Sequence, residues 1–154
     1  MIYPILSAEE AAEFVQNGFT VGVSGFTSPG CPQAVPIAIA ERAKREHAAG
    51  REFKINLFSG ASTSDHIDGE LTRADALNFR TPYQSHPDMR KAINGGAIHY
   101  NDRHLSELAQ EFRYGFYGKM DVPSSRHRAS PTRATSSSAP RWVTPPRGSR
   151  WPTR

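Results

Sequence analysis

The sequence predicts an α/β protein: an open, mostly parallel sheet with helices on both faces, followed by a disordered tail. Three observations carry that expectation. Short apolar runs with strand alternation trade places with segments of helical period. Gly, Ser and Pro clusters separate the two kinds of segment. After Val122 the composition breaks into a stretch that shows neither period. Strands alternating with amphipathic helices imply a parallel sheet covered on both faces.

The first helix is expected between Ser7 and Gly18. Ser7 and Glu10 have capping-box spacing, Ala11, Phe14 and Val15 share a face, and Gly18 supplies the stop. Phe19, Val21 and Val23 then alternate as a strand ending at Ser24-Gly25. A second helix begins near Val35-Pro36, where proline suits the first turn. Val35, Ile39 and Ala43 line its buried side, Glu41 and Arg45 have the spacing of a surface ion pair, and Gly50 closes it. Phe53, Ile55 and Leu57 form the second strand, broken at Ser59-Gly60. Ser85-His86-Pro87-Asp88 opens a short helix that runs to Asn94-Gly95-Gly96, and Ala97 to Tyr100 reads as a third strand. Leu105, Leu108, Ala109 and Phe112 make a helical stripe, followed by a short strand over Met120 to Val122.

In parallel sheets ligands bind at the loops beyond the strands' carboxyl ends. Here those are Ser24 to Pro32, Ser59 to His66 and the turn at Asn101-Asp102.

The net charge of +4 divides unevenly. Residues 123–154 hold seven Arg, seven Ser, six Pro and four Thr, with no Asp, Glu or Lys. The first 122 residues, with 12 basic side chains against 15 acidic ones, carry −3. The tail has too little aliphatic content to offset its ordering entropy. Its arginines and two tryptophans leave open a nucleic-acid-binding module that acts by phosphate contact and stacking. No apolar run approaches the roughly 18 residues of a membrane span. No secretory signal is visible, and the single Cys31 cannot make an internal disulfide, so the expected compartment is the cytoplasm.

Individual motifs are weak when taken singly. Gly22 to Gly30 is a small-residue loop whose amides could approach an anion, but it is neither G-x-G-x-x-G nor a phosphate loop. Ser59 to Ser64 is a similar hydroxyl-rich loop. Asp65, His66, Asp68, His99 and His104 match no metal-ligand spacing, and solvated loop residues explain them. Cys31 has no identifiable partner His, which favours an inert thiol. Arg90 and Lys91 could meet an anion or simply face water.

Together the segments resemble the N-terminal part of the acetyl-CoA hydrolase/transferase family, which includes acetate and succinate CoA-transferases. The matching strings are VGVSGFTSPGCPQAVPIAIAER at 21–42, LFSGAST at 57–63, YQSHPDMRKAINGG at 83–96, HYNDRHLSELAQ at 99–110 and GKMDV ending at Val122. The resemblance implies a CoA-transferase-like N-domain over residues 1–122. It also implies a reaction in which CoA passes between an acyl-CoA and a short carboxylate, or acetyl-CoA is hydrolysed. Both run through a glutamyl-CoA thioester, with coenzyme A as substrate and no tightly bound cofactor. The family's glutamate belongs to its C-terminal domain, so the resemblance assigns this chain no catalytic residue. It implies no turnover alone, and Glu107 and Glu111 are not substitutes. Ser24, Gly25, Phe26 and Thr27 match the loop facing the acyl end of the cleft, and Gly60, Ala61 and Ser62 match its neighbour. Expected partners are acyl-CoA, short carboxylates and a second copy of the chain, with neither a membrane nor, on balance, a nucleic acid.

The resemblance stops at Val122, where the family continues with a strand resembling Ala-Ile-Ile-Glu-Ala. G+C-rich codons for Pro-Ser-Ser-Arg-His-Arg-Ala-Ser, read one nucleotide out of register, give Leu-Ile-Glu-Ala-Ser-Arg-Ile-Thr. Residues 123–154 are therefore expected to be a frame-shifted terminus on a truncated domain.

Overall fold

A computed structural model describes residues 5–25, 27–62 and 64–125. Its elements are α1 (Ala8–Glu13), β1 (Thr20–Val23), α2 (Thr27–Gly30), α3 (Ala34–Ala48) and β2 (Ile55–Ser59). A π-helical turn (Asp65–Gly69) then runs into α4 (Glu70–Arg73). β3 (Leu77–Thr81), α5 (Pro87–Asn94), β4 (His99–Tyr100), α6 (Leu105–Arg113) and β5 (Val122–Ser124) complete the order. Among the described residues the strands form one sheet in the order β4-β3-β2-β1-β5, with every pair parallel. The expected parallel α/β layer is present.

All four residues of β1 are buried, as a central strand covered on both faces requires. One face packs Val21, Val23, Ile55, Leu57 and Leu77 against Ala12 of α1, Ile39 and Ala43 of α3, Leu71 of α4 and Met89 of α5. The other face carries a smaller aromatic cluster, in which Phe58 and Phe79 meet Leu108 and Phe112 of α6 with Tyr117. Helices thus lie on both sides, unequally.

The local signals are realised with shifts. Ser7 and Glu10 close both bonds of the capping box, but α1 ends at Glu13, so Ala12 and Val15 are buried while Phe14 is 65% exposed. Arg42 of α3 stops α1 from the side, donating to the carbonyls of Ala12 and Val15 at 2.7 and 2.6 Å. The expected Glu41–Arg45 pair does not form. Glu41 takes Lys44 at 2.6 Å, and Arg45 reaches Glu13 on α1 at 3.4 Å. A helix neighbour outcompetes the i, i+4 partner because α1 brings a carboxylate into reach.

Four elements are additions to the expected set: the short α2, and the π-helical turn, α4 and β3 that follow one another after β2. In β3, Ile55 pairs with Leu77 but Asn56 pairs with Phe79, so Asn78 is an extra, bulged residue. The bulge turns Leu77 to the aliphatic face and Phe79 to the aromatic one. Leu77 and Phe79 thus alternate in sequence yet face opposite sides, so the alternation does not tell which face each one covers.

The last strand runs over Val122–Ser124 rather than Met120 to Val122, so the boundary drawn at Val122 falls inside it. The Ser124 carbonyl accepts from the Ser24 amide at 2.8 Å. Strand alternation then turns Pro123 outward, where its missing donor leaves no β1 partner unsatisfied. The rest of the tail, residues 126–154, lies outside the described residues. Among the described residues no helix is long and apolar enough to cross a membrane.

Candidate functional site

The carboxyl ends of β1 and β2 stand side by side at the middle of the sheet, and their loops are built from glycine for a steric reason. Gly25 has φ +134°, a backbone that side chains rarely adopt, and a Cβ there would lie 2.7 Å from the Cys31 Sγ and 2.8 Å from its Cα. A Cβ on Gly60 would lie 2.5 Å from the Gly25 carbonyl oxygen. The two loops therefore touch backbone to backbone. Thr27, held at φ +59°, donates its amide to the Ala61 carbonyl at 3.2 Å and completes the junction. A β-branched residue in the left-handed region is uncommon, and here the neighbouring loop holds it there.

Of the residues expected to face substrate, Ser24, Gly25, Thr27, Gly60 and Ala61 are partly exposed and brought together. Ser62 is fully buried, and its side chain opposes the upward push that burial gives the Cys31 thiol. Phe26 lies outside the described residues. Cys31 itself is 1% exposed and donates to the Thr27 carbonyl at 3.1 Å. Burial pushes its thiol above the usual range, and the Asp68 charge adds to that. Such a thiol is a packing group.

The structure adds a feature at the end of β3 that sequence reasoning missed. Arg80 is completely buried and meets Asp68, also completely buried, at 3.2 Å. Its other nitrogens donate to the carbonyls of Thr81 at 2.6 Å and Tyr83 at 2.9 Å. Thr81 in turn donates its hydroxyl to the Asn101 carbonyl at 2.7 Å, tying in the turn after β4. The residue after Tyr83, Gln84, forms an isolated parallel bridge with Ser62. The alternating L-N-F-R stretch signals a strand, but nothing in it marks the arginine as buried.

The dispersed acidic and histidine residues do not converge. Asp65 is held by Arg73, at 3.0 and 3.1 Å, and by His86 at 2.9 Å. Hydrogen bonds from the Arg73 guanidinium keep the Asp65 carboxyl below the usual carboxylate range. His99 lies in β4, and His104 precedes α6. Arg90 donates to the Ser85 carbonyl at 3.1 Å, and Lys91 faces solvent.

The loops thus offer amides, carbonyls and small hydroxyls, and among the described residues 24–32 and 59–64 contain no carboxylate. Glu107 and Glu111 are on α6, where Glu111 accepts from Tyr117 at 2.9 Å and pairs with Arg103 at 3.6 Å.

The family model of the acetyl-CoA hydrolase/transferase N-terminal domain matches residues 3–126. The propanoyl-CoA:succinate CoA transferase of Escherichia coli (strain K12) is 48% identical over 117 residues, covering 76% of this chain and 24% of its own. The succinyl-CoA:acetate CoA-transferase of Clostridium kluyveri is 43% identical over 118 residues, covering 77% and 21%. The acetyl-CoA hydrolase of Saccharomyces cerevisiae is 36% identical over 113 residues, covering 73% and 21%. The chain therefore spans about a fifth to a quarter of the length of these relatives. Among solved structures, an acyl-CoA transferase (YdiF) apoenzyme from Escherichia coli O157:H7 superposes with a TM-score of 0.57 at 15% identity, covering 73% of this chain and 22% of that one. Its thioester complex with CoA gives 0.57 at 16%, covering 73% and 24%. At that identity the likeness speaks to the fold.

Proposed function

Because the chain belongs to the acetyl-CoA hydrolase/transferase family through its N-terminal domain, we propose that its loops after β1 and β2 receive the acyl or carboxylate end of the substrates in a CoA-transfer or acetyl-CoA-hydrolysis reaction. The observation that carries the reading is the junction of the two loops. Ser24, Gly25, Thr27, Gly60 and Ala61, matched by family resemblance, meet at the carboxyl ends of adjacent central strands.

The chemistry suits the assignment. Short carboxylates and thioester carbonyls are satisfied by amide and hydroxyl donors brought close by glycine, with no side chain in the way. Transfer and hydrolysis share this need and differ in whether a second carboxylate takes over CoA, the first acyl group leaving as its carboxylate, or water cleaves the thioester to a carboxylate and free CoA. Coenzyme A is a substrate in this reading. The reacting nucleophile is not among the loop residues described, so the chain supplies binding and orientation.

The test is an amide-resolved titration of the purified chain with succinate, acetate and coenzyme A. Saturable shifts at Ser24, Gly25, Gly60 and Ala61 are expected, with no CoA transfer from acetyl-CoA to succinate by the chain alone. Shifts confined to other surfaces would refute the binding site, and measured transfer would refute the binding-only role.

A further inference from the structure

We propose that Arg80 is a positioning residue for the candidate site, holding the loop after β3 against the loop after β2. The inference rests on the substrate-loop reading for its functional meaning, though its geometry stands independently.

The β3 bulge makes the arrangement possible. Because Asn78 is extra, Arg80 pairs in register with Leu57, a core residue of the aliphatic face. A charged side chain is thereby placed where an aliphatic one is expected. Full burial of a guanidinium is sustained only when its charge and its donors are met. Asp68 meets the charge at 3.2 Å, from the helical turn that follows the β2 loop. The Thr81 and Tyr83 carbonyls take two further nitrogens, from the chain that continues β3. One planar side chain thus joins the segments after β2 and after β3.

The link to the site is short. Tyr83, held by Arg80, precedes Gln84, and Gln84 bridges Ser62 of the β2 loop. Ser62 belongs to the loop whose Ala61 carbonyl takes the Thr27 amide and whose Gly60 lies against the Gly25 carbonyl. The Arg80 and Asp68 charges are both felt at Cys31. A rigid fork suits this role, whereas an ammonium could meet Asp68 but not span the two carbonyls in the same plane.

The experiment compares the wild-type chain with Arg80→Lys and with the double variant Arg80→Met/Asp68→Leu, which removes both charges so that no buried ion is left unpaired. Amide hydrogen exchange is read at Ser62 and Gln84, with Leu57 as the reference in the core. Both variants are expected to lose protection at Ser62 and Gln84 on the order of tenfold or more while Leu57 stays at the wild-type level. Should the lysine variant fail to fold, the double variant decides. Wild-type protection at Ser62 and Gln84 in either variant would overturn the proposal, since neutralising Asp68 would then be all that Arg80 does. A uniform loss that includes Leu57 in the double variant would also overturn it, leaving Arg80 as a general stability residue. A parallel succinate titration separates the two readings. If the wild-type loops do not respond to succinate, the substrate reading fails while the exchange data still judge the clasp.

Discussion

The loops after β1 and β2 and the loop after β3 stand at the same end of one sheet, and opposite means hold them. Between the first two the contact is made by removing side chains: Gly60 lies under the Gly25 carbonyl, and Gly25 lies against Cys31. At the third the contact is made by adding the largest polar side chain available and burying it entirely on Asp68. Close backbone approach tolerates no added atom, whereas a buried ion pair tolerates no lost partner. The two regions should therefore fail under opposite kinds of substitution.

The sharpest difference is expected from Arg80→Met. Leaving Asp68 buried without its cation should cost about 3–5 kcal/mol of stability, measured by urea unfolding. Adding Asp68→Leu should recover most of that loss. A single variant as stable as the wild type would show that the pair is not a clasp and would erase the contrast.

In the glycine-built region, Gly60→Ala should cost about 1–3 kcal/mol, because the new methyl meets a backbone carbonyl that can give way only by moving the whole loop. The same change at Gly30, where a Cβ would meet nothing closer than 3.7 Å and where, as at Gly60, φ is not positive, removes the steric crowding alone. The difference between the two measured losses isolates the close approach. Equal losses would mean that the close approach contributes nothing.

Cys31→Ala probes the same region by subtraction and should cost about 1 kcal/mol. It deletes a buried thiol and its bond to the Thr27 carbonyl without leaving a charge exposed. Because burial raises that thiol, alkylation of the folded protein should also be slow near neutral pH. Rapid alkylation would place the loop in a more open state than its packing indicates.

The glycine-built region was the more legible of the two. Small residues after alternating apolar runs mark loops at strand ends whatever the neighbours are, and the capping box at Ser7 and Glu10 works within four residues. The Arg80 clasp depends on contacts 12 residues apart in sequence and on a bulge at Asn78 that puts Leu77 and Phe79 on opposite faces. Nothing local distinguishes a buried arginine from a solvated one. For the same reason Glu41 and Arg45, a correct helical spacing, took other partners once α1 was packed alongside. The burial of Ser62 was hidden likewise, since Gln84, which bridges it, comes from the segment after β3.

The smallest effect concerns the rim of the ion-paired region, where Arg73 gathers Asp65, Glu70 and Asp88 near His86. The hydrogen bonds from Arg73 lower the folded-state titration of Asp65 below its unfolded value. Stabilisation from Asp65 is therefore complete above the unfolded value of about 3.9 and is lost as pH falls through the lower, folded one. Its side chain is 55% exposed, so solvent screens most of the interaction and the contribution should stay under about 1 kcal/mol. Urea unfolding of wild-type and Asp65→Asn protein between about pH 5 and pH 2 reads this directly. The wild type should lose slightly more stability across that range than the variant. Identical slopes would mean that the pairs Asp65 makes with Arg73 and His86 contribute nothing measurable to stability.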